Sequence, residues 1–266
     1  MPNPFLLYPH DTRDVELIPK KSKIEKEWDD ASEAWLDFVR TGKDYYRDEL
    51  NNPAAFKLVG NVKGKSVLDL ACGEGYNTRI LAKKGAKVCG VDFSKRMIAH
   101  ARKKENEERL GISYYVSEAF DLIQLRGGTF DLVTCFMAIQ DIEDYVRTMG
   151  EVSRVLKKQG RFIFSIPHPC FEGFSIKDHR IQASERYFGI VEYPLDWNME
   201  RLSEPFKTTA FHRTLTDYFA ALFDSNLMVT RLVEPQPTKK GLRKHPPMRQ
   251  VLERPQSIII ESKRVI

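Results

Sequence analysis

The residues best placed to do chemistry lie in Val67-Leu68-Asp69-Leu70-Ala71-Cys72-Gly73-Glu74-Gly75, where an apolar run ends in a carboxylate and a turn of small residues. Gly73 and Gly75 let the backbone pass close to a ligand with no Cβ in the way. A second apolar run, Lys87 to Val91, ends in Asp92, an acid that can accept hydrogen bonds from both hydroxyls of a ribose. Together they outline a cradle for a nucleotide-like cofactor. A dinucleotide-binding dehydrogenase would carry GxGxxG at this turn, whereas this chain has Ala71-Cys72-Gly73-Glu74-Gly75-Tyr76. Glu74 is an awkward neighbour for a pyrophosphate and suits a cofactor bearing an amino group. Taken alone, the turn is equally open to a purely structural reading.

The elements that must position these residues alternate. Strands are expected at Ser66–Leu70, Lys87–Val91, Ser113–Val116, Phe130–Cys135 and Arg161–Ile166, with helices at Tyr76–Lys84, Ser94–Gly111, Ile142–Val155 and a short piece around Phe120. Ser94 is placed to cap its helix. Such βα repetition predicts an α/β, Rossmann-like, seven-stranded and mostly parallel sheet, completed by a helix at Leu215–Phe223 and strands at Met228–Glu234 and Ser257–Lys263, with room for an antiparallel edge strand. Two helices come first. One starts near Ser22, carries the stripe Trp28, Ala31, Trp35, Phe38 and Val39, and stops at Thr41-Gly42; the other runs from Asp44 to about Val59 with a break before Pro53. The rhythm fails over 167–211, an aromatic-rich interval. The expected organisation is an N-terminal arm and helical cap over 1–60, a cofactor-binding core over 61–166, a substrate-covering insertion over 167–212 and a C-terminal completion of the sheet over 213–266.

At 266 residues and 42% hydrophobic content the chain can bury one sizeable core, which argues against global disorder. Its charge of +5 comes from 42 basic and 37 acidic residues that are mostly dispersed, so composition gives no nucleic-acid signature. The basic stretch Pro235–Pro255 is read as a solvated loop, with RNA or an anionic substrate as the competing reading. Cys72, Cys89, Cys135 and Cys170 form no CxxC pair, so no metal site is expected. No signal peptide or membrane-length apolar run is found, and a cytoplasmic protein without membrane contact is expected. The sequence fixes no oligomeric state.

In the order of these motifs the chain closely resembles the class I S-adenosylmethionine-dependent methyltransferases, over about residues 60–166. The resemblance implies that S-adenosyl-L-methionine is the cofactor and that the loop carrying Asp69, Ala71, Gly73 and Gly75 wraps its methionine and ribose parts. Ala71 stands where the family's first glycine is usual. The resemblance also puts Asp92 on the ribose hydroxyls, with Phe93 and Met97 beside the adenine. Tyr115-Val116-Ser117-Glu118-Ala119-Phe120 matches the next motif, giving Glu118 the adenine amino group and the Ala119 backbone a ring nitrogen. Phe130 to Ile139 resembles the fourth-strand motif, whose end, at Phe136, flanks the methionine part and the transferred methyl. Arg47, with Tyr45 and Tyr46, is expected to close over the methionine end and pair its carboxylate.

For the methyl acceptor the candidates lie after the fifth strand. His168 is the expected base, since an imidazole titrates near neutral pH; a strand-capping structural histidine is the competing reading. Phe171, Phe174, Tyr193 and Trp197 are expected to wall the substrate, and His212 with Arg213 to orient a carboxylate or phosphate. The function expected is methyl transfer to an oxygen or nitrogen of a planar or anionic small molecule. An RNA-directed methyltransferase and a catalytically inactive cofactor-binding protein remain as alternatives. No Asn-Pro-Pro-Tyr-like motif follows the fourth strand, which speaks against base methylation.

Overall fold

In a computed structural model of the chain, residues 5, 22–171, 175–177, 180–182, 187–197 and 202–266 are described. Seven strands form the central sheet: β1 (Ser66–Leu70), β2 (Lys87–Asp92), β3 (Ser113–Val116), β4 (Phe130–Phe136), β5 (Leu156–Pro167), β10 (Leu227–Val233) and β11 (Ser257–Arg264). Their spatial order is β10-β11-β5-β4-β1-β2-β3. From β3 through β5 all pairs are parallel, whereas β11 runs antiparallel to both β5 and β10. The antiparallel strand is therefore interior, and the edge strand β10 shares the direction of the parallel set. The segment 234–256 carries the chain back so that the last strand slots between β5 and β10, a pairing that periodicity does not encode.

Both faces of the sheet are covered, which is why its strands read as near-continuous apolar runs. Leu68, Leu70, Val133, Phe162 and Phe164 point to one face, beneath α5 (Tyr145–Val155) and α6 (Leu215–Asp224). Val67, Leu132, Ile163 and Ile259 point to the other, beneath α2 (Asn52–Val59), α3 (Tyr76–Lys83) and α4 (Lys95–Glu108). Phe5 stacks on Phe130 at 5.3 Å and so joins the first of these cores; the rest of the N-terminal arm lies outside the described residues.

α1 (Lys23–Arg40) begins where its side-chain cap demands, the Ser22 hydroxyl accepting from the Glu25 N–H at 3.0 Å. The expected second helix has a π-helical turn, Arg47–Asn51, before Pro53 of α2, a register defect often found beside functional sites. Around Phe120 the chain makes a turn, not a helix: Ser117 Oγ donates to the Asp121 carbonyl at 2.6 Å and captures the backbone locally. β5 starts earlier than expected because Leu156 already pairs with Phe130, and residues 157–160 bulge out before Arg161 meets Leu132. The insertion contains the hairpins β6 (Ser175–Lys177)–β7 (Arg180–Gln182) and β8 (Val191–Trp197)–β9 (Phe206–His212). Pro235–Pro255 is not a solvated loop. It folds into α7 (Lys239–Lys244) and a 3-10 segment (Pro246–Leu252), and Met248 and Val251 bury Leu50 of the π-helical turn.

Candidate functional site

The sheet order reverses between β1 and β4, and the crevice beyond the carboxyl ends of those strands opens into a cavity of ≈ 1370 Å³. On the β1–β2 side, Ala71 (φ 53°) and Gly73 (φ 55°) both adopt left-handed backbone, and a Cβ added at Gly73 would meet nothing within 4 Å. That turn is pinned by Asp92: its Oδ2 accepts from the Gly73 N–H at 2.8 Å and its Oδ1 from the Ser94 N–H at 2.9 Å. Each carboxylate oxygen keeps acceptor capacity toward the cavity that Asp92 lines. Burial pushes its carboxyl up to about 6. Ser94 caps α4 through the Met97 N–H at 3.1 Å and donates to Asp29 Oδ1 at 2.5 Å, so α1 fixes the turn that holds Asp92.

Phe93, Met97, Glu118, Ala119 and Phe136 line the cavity along with Ala71 and Gly73, as does Arg47. Burial, then the neighbouring Glu25, Asp92, Asp121 and Glu143, raises the Glu118 carboxyl to about 7. Arg47 lies 3.8 Å over the Tyr76 ring, with Nε donating to Asp48 at 2.8 Å and Nη2 to the Val39 carbonyl at 3.1 Å. Glu74 is 3% exposed and paired with Arg79 at 2.9 Å, so its charge is met by protein.

Two loop residues do other work than expected. Asp69 does not line the cavity: Thr78 and Thr134 donate to its two oxygens at 2.6 and 2.8 Å, tying β1 to α3 and β4 beneath the turn. Gly75 (φ 82°) also lies off the cavity wall, and a Cβ there would collide with the Tyr114 hydroxyl. Its glycine serves packing.

On the acceptor side Phe171, Tyr193, Trp197 and His212 line the cavity, while Phe174 lies outside the described residues. His212 Nε2 is 2.8 Å from the Tyr187 carbonyl, which puts the proton on Nε2 and makes Nδ1 the ring's acceptor atom. His168, the expected base, is placed apart from these residues. It is absent from the cavity lining, its Nδ1 accepts from the Cys170 N–H at 3.3 Å and its Nε2 meets Glu234 Oε1 at 3.0 Å. With Nδ1 accepting, Nε2 carries the proton, and the ring braces β5 against the end of β10. Arg213 is likewise structural, buried at 1% exposure and donating to the Ile139, Ile142 and Glu143 carbonyls.

Unexpected lining residues come from α1 and the β4–α5 connection. All three tryptophans of the chain, Trp28, Trp35 and Trp197, face the cavity and contact one another at 5.3 to 6.2 Å. The helical spacing of Trp28 and Trp35 in α1 was legible; only the hairpin β8–β9, which brings Trp197, made that stripe a cavity wall rather than core. Gln140, Asp141 and Glu143 carried no sequence signal. Among the described lining residues the carboxylates Asp44, Glu74, Asp92, Glu118, Asp141 and Glu143 face one permanent cation, Arg47. No group of His, Cys, Asp and Glu among the described residues is placed to hold a metal ion, and no helix among them is long and apolar enough to cross a membrane.

A sheet of this order, with an acid on β2 gripping a small-residue turn after β1 at the switch point, defines an α/β protein that binds a nucleoside-containing cofactor. The family model described as "Methyltransferase domain" matches residues 68–164. An S-adenosylmethionine-dependent methyltransferase from Mesorhizobium loti superposes with a TM-score of 0.66 at 29% identity, over 80% of this chain and 96% of that one. The ubiquinone biosynthesis O-methyltransferase of Coxiella burnetii (strain Dugway 5J108-111) is 28% identical over 182 residues, 66% of this chain and 75% of that protein. The demethylmenaquinone methyltransferase of Lactococcus lactis is 30% identical over 179 residues, 65% of this chain and 64% of that protein. The chain belongs to the class I S-adenosylmethionine-dependent methyltransferases, with S-adenosyl-L-methionine as cofactor.

The residues present fit that cofactor. The open face of Gly73 admits a ligand against backbone, Asp92 offers two acceptor oxygens, and Phe93 and Met97 supply apolar surface for a base. When bound, S-adenosylmethionine supplies an electrophilic methyl on a cationic sulfur.

Proposed function

We propose that the protein transfers the methyl to an oxygen of a planar, uncharged small molecule held against the aromatic wall of Trp28, Trp35, Phe171, Tyr193 and Trp197. One observation carries the reading: the cofactor cradle and the aromatic wall share a single cavity of ≈ 1370 Å³. A single drug-sized ligand occupies about 300–1,000 Å³, so this space suits a cofactor and a second molecule together. The names of the Coxiella and Lactococcus relatives support oxygen and quinone-type chemistry as the first place to look. An anionic acceptor does not suit the excess of carboxylates among the described lining residues.

In this reading Asp92 holds the ribose, Phe93 and Met97 flank the adenine, Glu118 and the Ala119 backbone meet its edge, and Arg47 pairs the methionine carboxylate. Ala71 and Gly73 give backbone access, and Phe136 borders the methyl. His212 orients the acceptor, while His168, Asp69 and Gly75 act through the scaffold. Residues 61–166 form the cofactor-binding core and 213–266 complete its sheet, while the described parts of 1–60 form a helical cap and those of 167–212 the substrate-side insertion. Holding the two reactants in line is the chief contribution the chain has to make. The test is transfer of a labelled methyl from S-adenosylmethionine into a metabolite extract, with mass spectrometry of the product. A labelled O-methyl product meets the expectation; label found only in nucleic acid or in protein refutes it.

A further inference from the structure

We propose that Gln140 is an acceptor-binding residue whose Oε1 takes a hydrogen bond from the methyl acceptor, so that the site selects molecules presenting a hydrogen-bond donor and discriminates against anions. The inference rests on the proposed small-molecule acceptor and narrows its chemistry.

Gln140 lines the cavity from the 3-10 turn Ile139–Asp141, just past the end of β4, on the opposite side of the switch point from Gly73 and Asp92. Its residue is 6% exposed. The amide orientation is dictated by its neighbours: Nε2 donates to the Met137 carbonyl at 2.8 Å and to Asp141 Oδ2 at 3.1 Å. Reversing the amide would set Oε1 against two acceptors, so oxygen must be the atom turned away from them. That Oε1 is buried and has no hydrogen-bond partner among the described residues. A buried acceptor left unmet is costly, and such atoms in a cavity wall mark places where a ligand completes the bonding.

The turn presenting it is held rigidly. Met137 sits in left-handed backbone at φ 52°, its N–H donating to the carbonyl and the hydroxyl of Ser165 at the end of β5. Arg213 clamps the far side through the carbonyls of Ile139, Ile142 and Glu143. Strained backbone persists where surrounding bonds over-determine it, and such positions cluster at ligand sites. Asp141 and Glu143 also line this wall, so a donor group is met by acceptors and a carboxylate or phosphate by repulsion.

The test uses the protein saturated with S-adenosylhomocysteine, titrated calorimetrically with three molecules sharing one planar ring system: naphthol, its methyl ether and naphthoate. Wild type is expected to bind naphthol at least about tenfold more tightly than either of the others, equivalent to about 1.4 kcal/mol. Gln140→Leu and Gln140→Met, which fill the space without a polar atom, should bring naphthol and its methyl ether to within about twofold while leaving S-adenosylhomocysteine affinity unchanged. Equal binding of the three by wild type, preference for naphthoate, a donor preference that survives in both variants, or no binding of any of the three overturns the proposal. If the ring series behaves as expected but the extract yields no O-methyl product, the proposed reaction fails and this subsite stands. A labelled product together with no donor preference fails the subsite alone.

Discussion

Replacing Asp92 separates cofactor binding from folding more sharply than any other change. Each of its carboxylate oxygens already accepts one backbone N–H, from Gly73 at 2.8 Å and Ser94 at 2.9 Å, leaving one further bond apiece for two ribose hydroxyls. Hydrogen bonds to a charged group contribute about 1.5–3 kcal/mol each, so Asp92→Ala should lose about 3–6 kcal/mol of binding, or roughly 10²–10⁴-fold in affinity. Asp92→Asn, which keeps one acceptor, should lose about half of that free energy. Stability should move differently. The folded-state pKa of about 6 lies above the ordinary 3.8, so the folded chain holds this proton more tightly than the unfolded one. The associated stability is present at low pH and is lost as pH rises through about 6, to the order of 3 kcal/mol. Asparagine carries no charge to desolvate, though its NH2 opposes one of the two backbone N–H donors, so the melting temperature of Asp92→Asn relative to wild type should rise between about pH 4 and about pH 8. Calorimetric titration with S-adenosylmethionine, paired with thermal unfolding of the free protein, reads both. Affinity within about threefold of wild type in Asp92→Ala, or a melting temperature of Asp92→Asn relative to wild type that does not rise over that range, refutes the reasoning.

Three further outcomes follow from the same geometry. With the Glu118 carboxyl near 7, affinity for S-adenosylmethionine should climb as pH rises across that value and the ionised form accepts from the adenine amino group; Glu118→Gln should flatten the climb, and a flat wild-type profile removes the assignment. Gly75→Ala should destabilise by about 2–4 kcal/mol in denaturant titration, through positive φ and the Tyr114 hydroxyl together. Tyr114→Phe, which deletes the hydroxyl that the added Cβ would strike, should recover part of that loss in the double variant, and strict additivity would count against the clash. His168→Ala should lower the melting temperature yet leave turnover within about threefold, whereas a hundredfold loss of turnover at unchanged stability, about 2.7 kcal/mol, would restore it as the base.

That Ala71, Gly73 and Asp92 would meet at one cavity was legible because their placement is local. They present backbone and short side chains at strand ends, so the pattern that places the strands also places them on the cavity wall. Asp69 shows where this stops: the sequence gives its position in the motif, but its hydrogen bonds to Thr78 and Thr134, nine and sixty-five residues away, turn it inward. The place of His168 off the cavity wall was illegible for the same reason. Its partner Glu234 is brought to it by β10, whose place in the sheet depends on a non-local antiparallel pairing with β11.

By itself the sequence determined the alternation of strands and helices, the start of the first helix near Ser22, the cap at Ser94 and the family, since these depend on hydrophobic period, a capping hydroxyl and motif order within one continuous stretch. Tertiary structure alone decided the acceptor side. Trp28 and Trp35 meet Trp197 only because α1 packs beside the β8–β9 hairpin, and Gln140 is oriented only because Met137, Asp141 and the distant Arg213 hold its turn. Contacts between residues far apart in the chain leave no period in the sequence, so the wall that chooses the acceptor becomes readable only once the chain has folded.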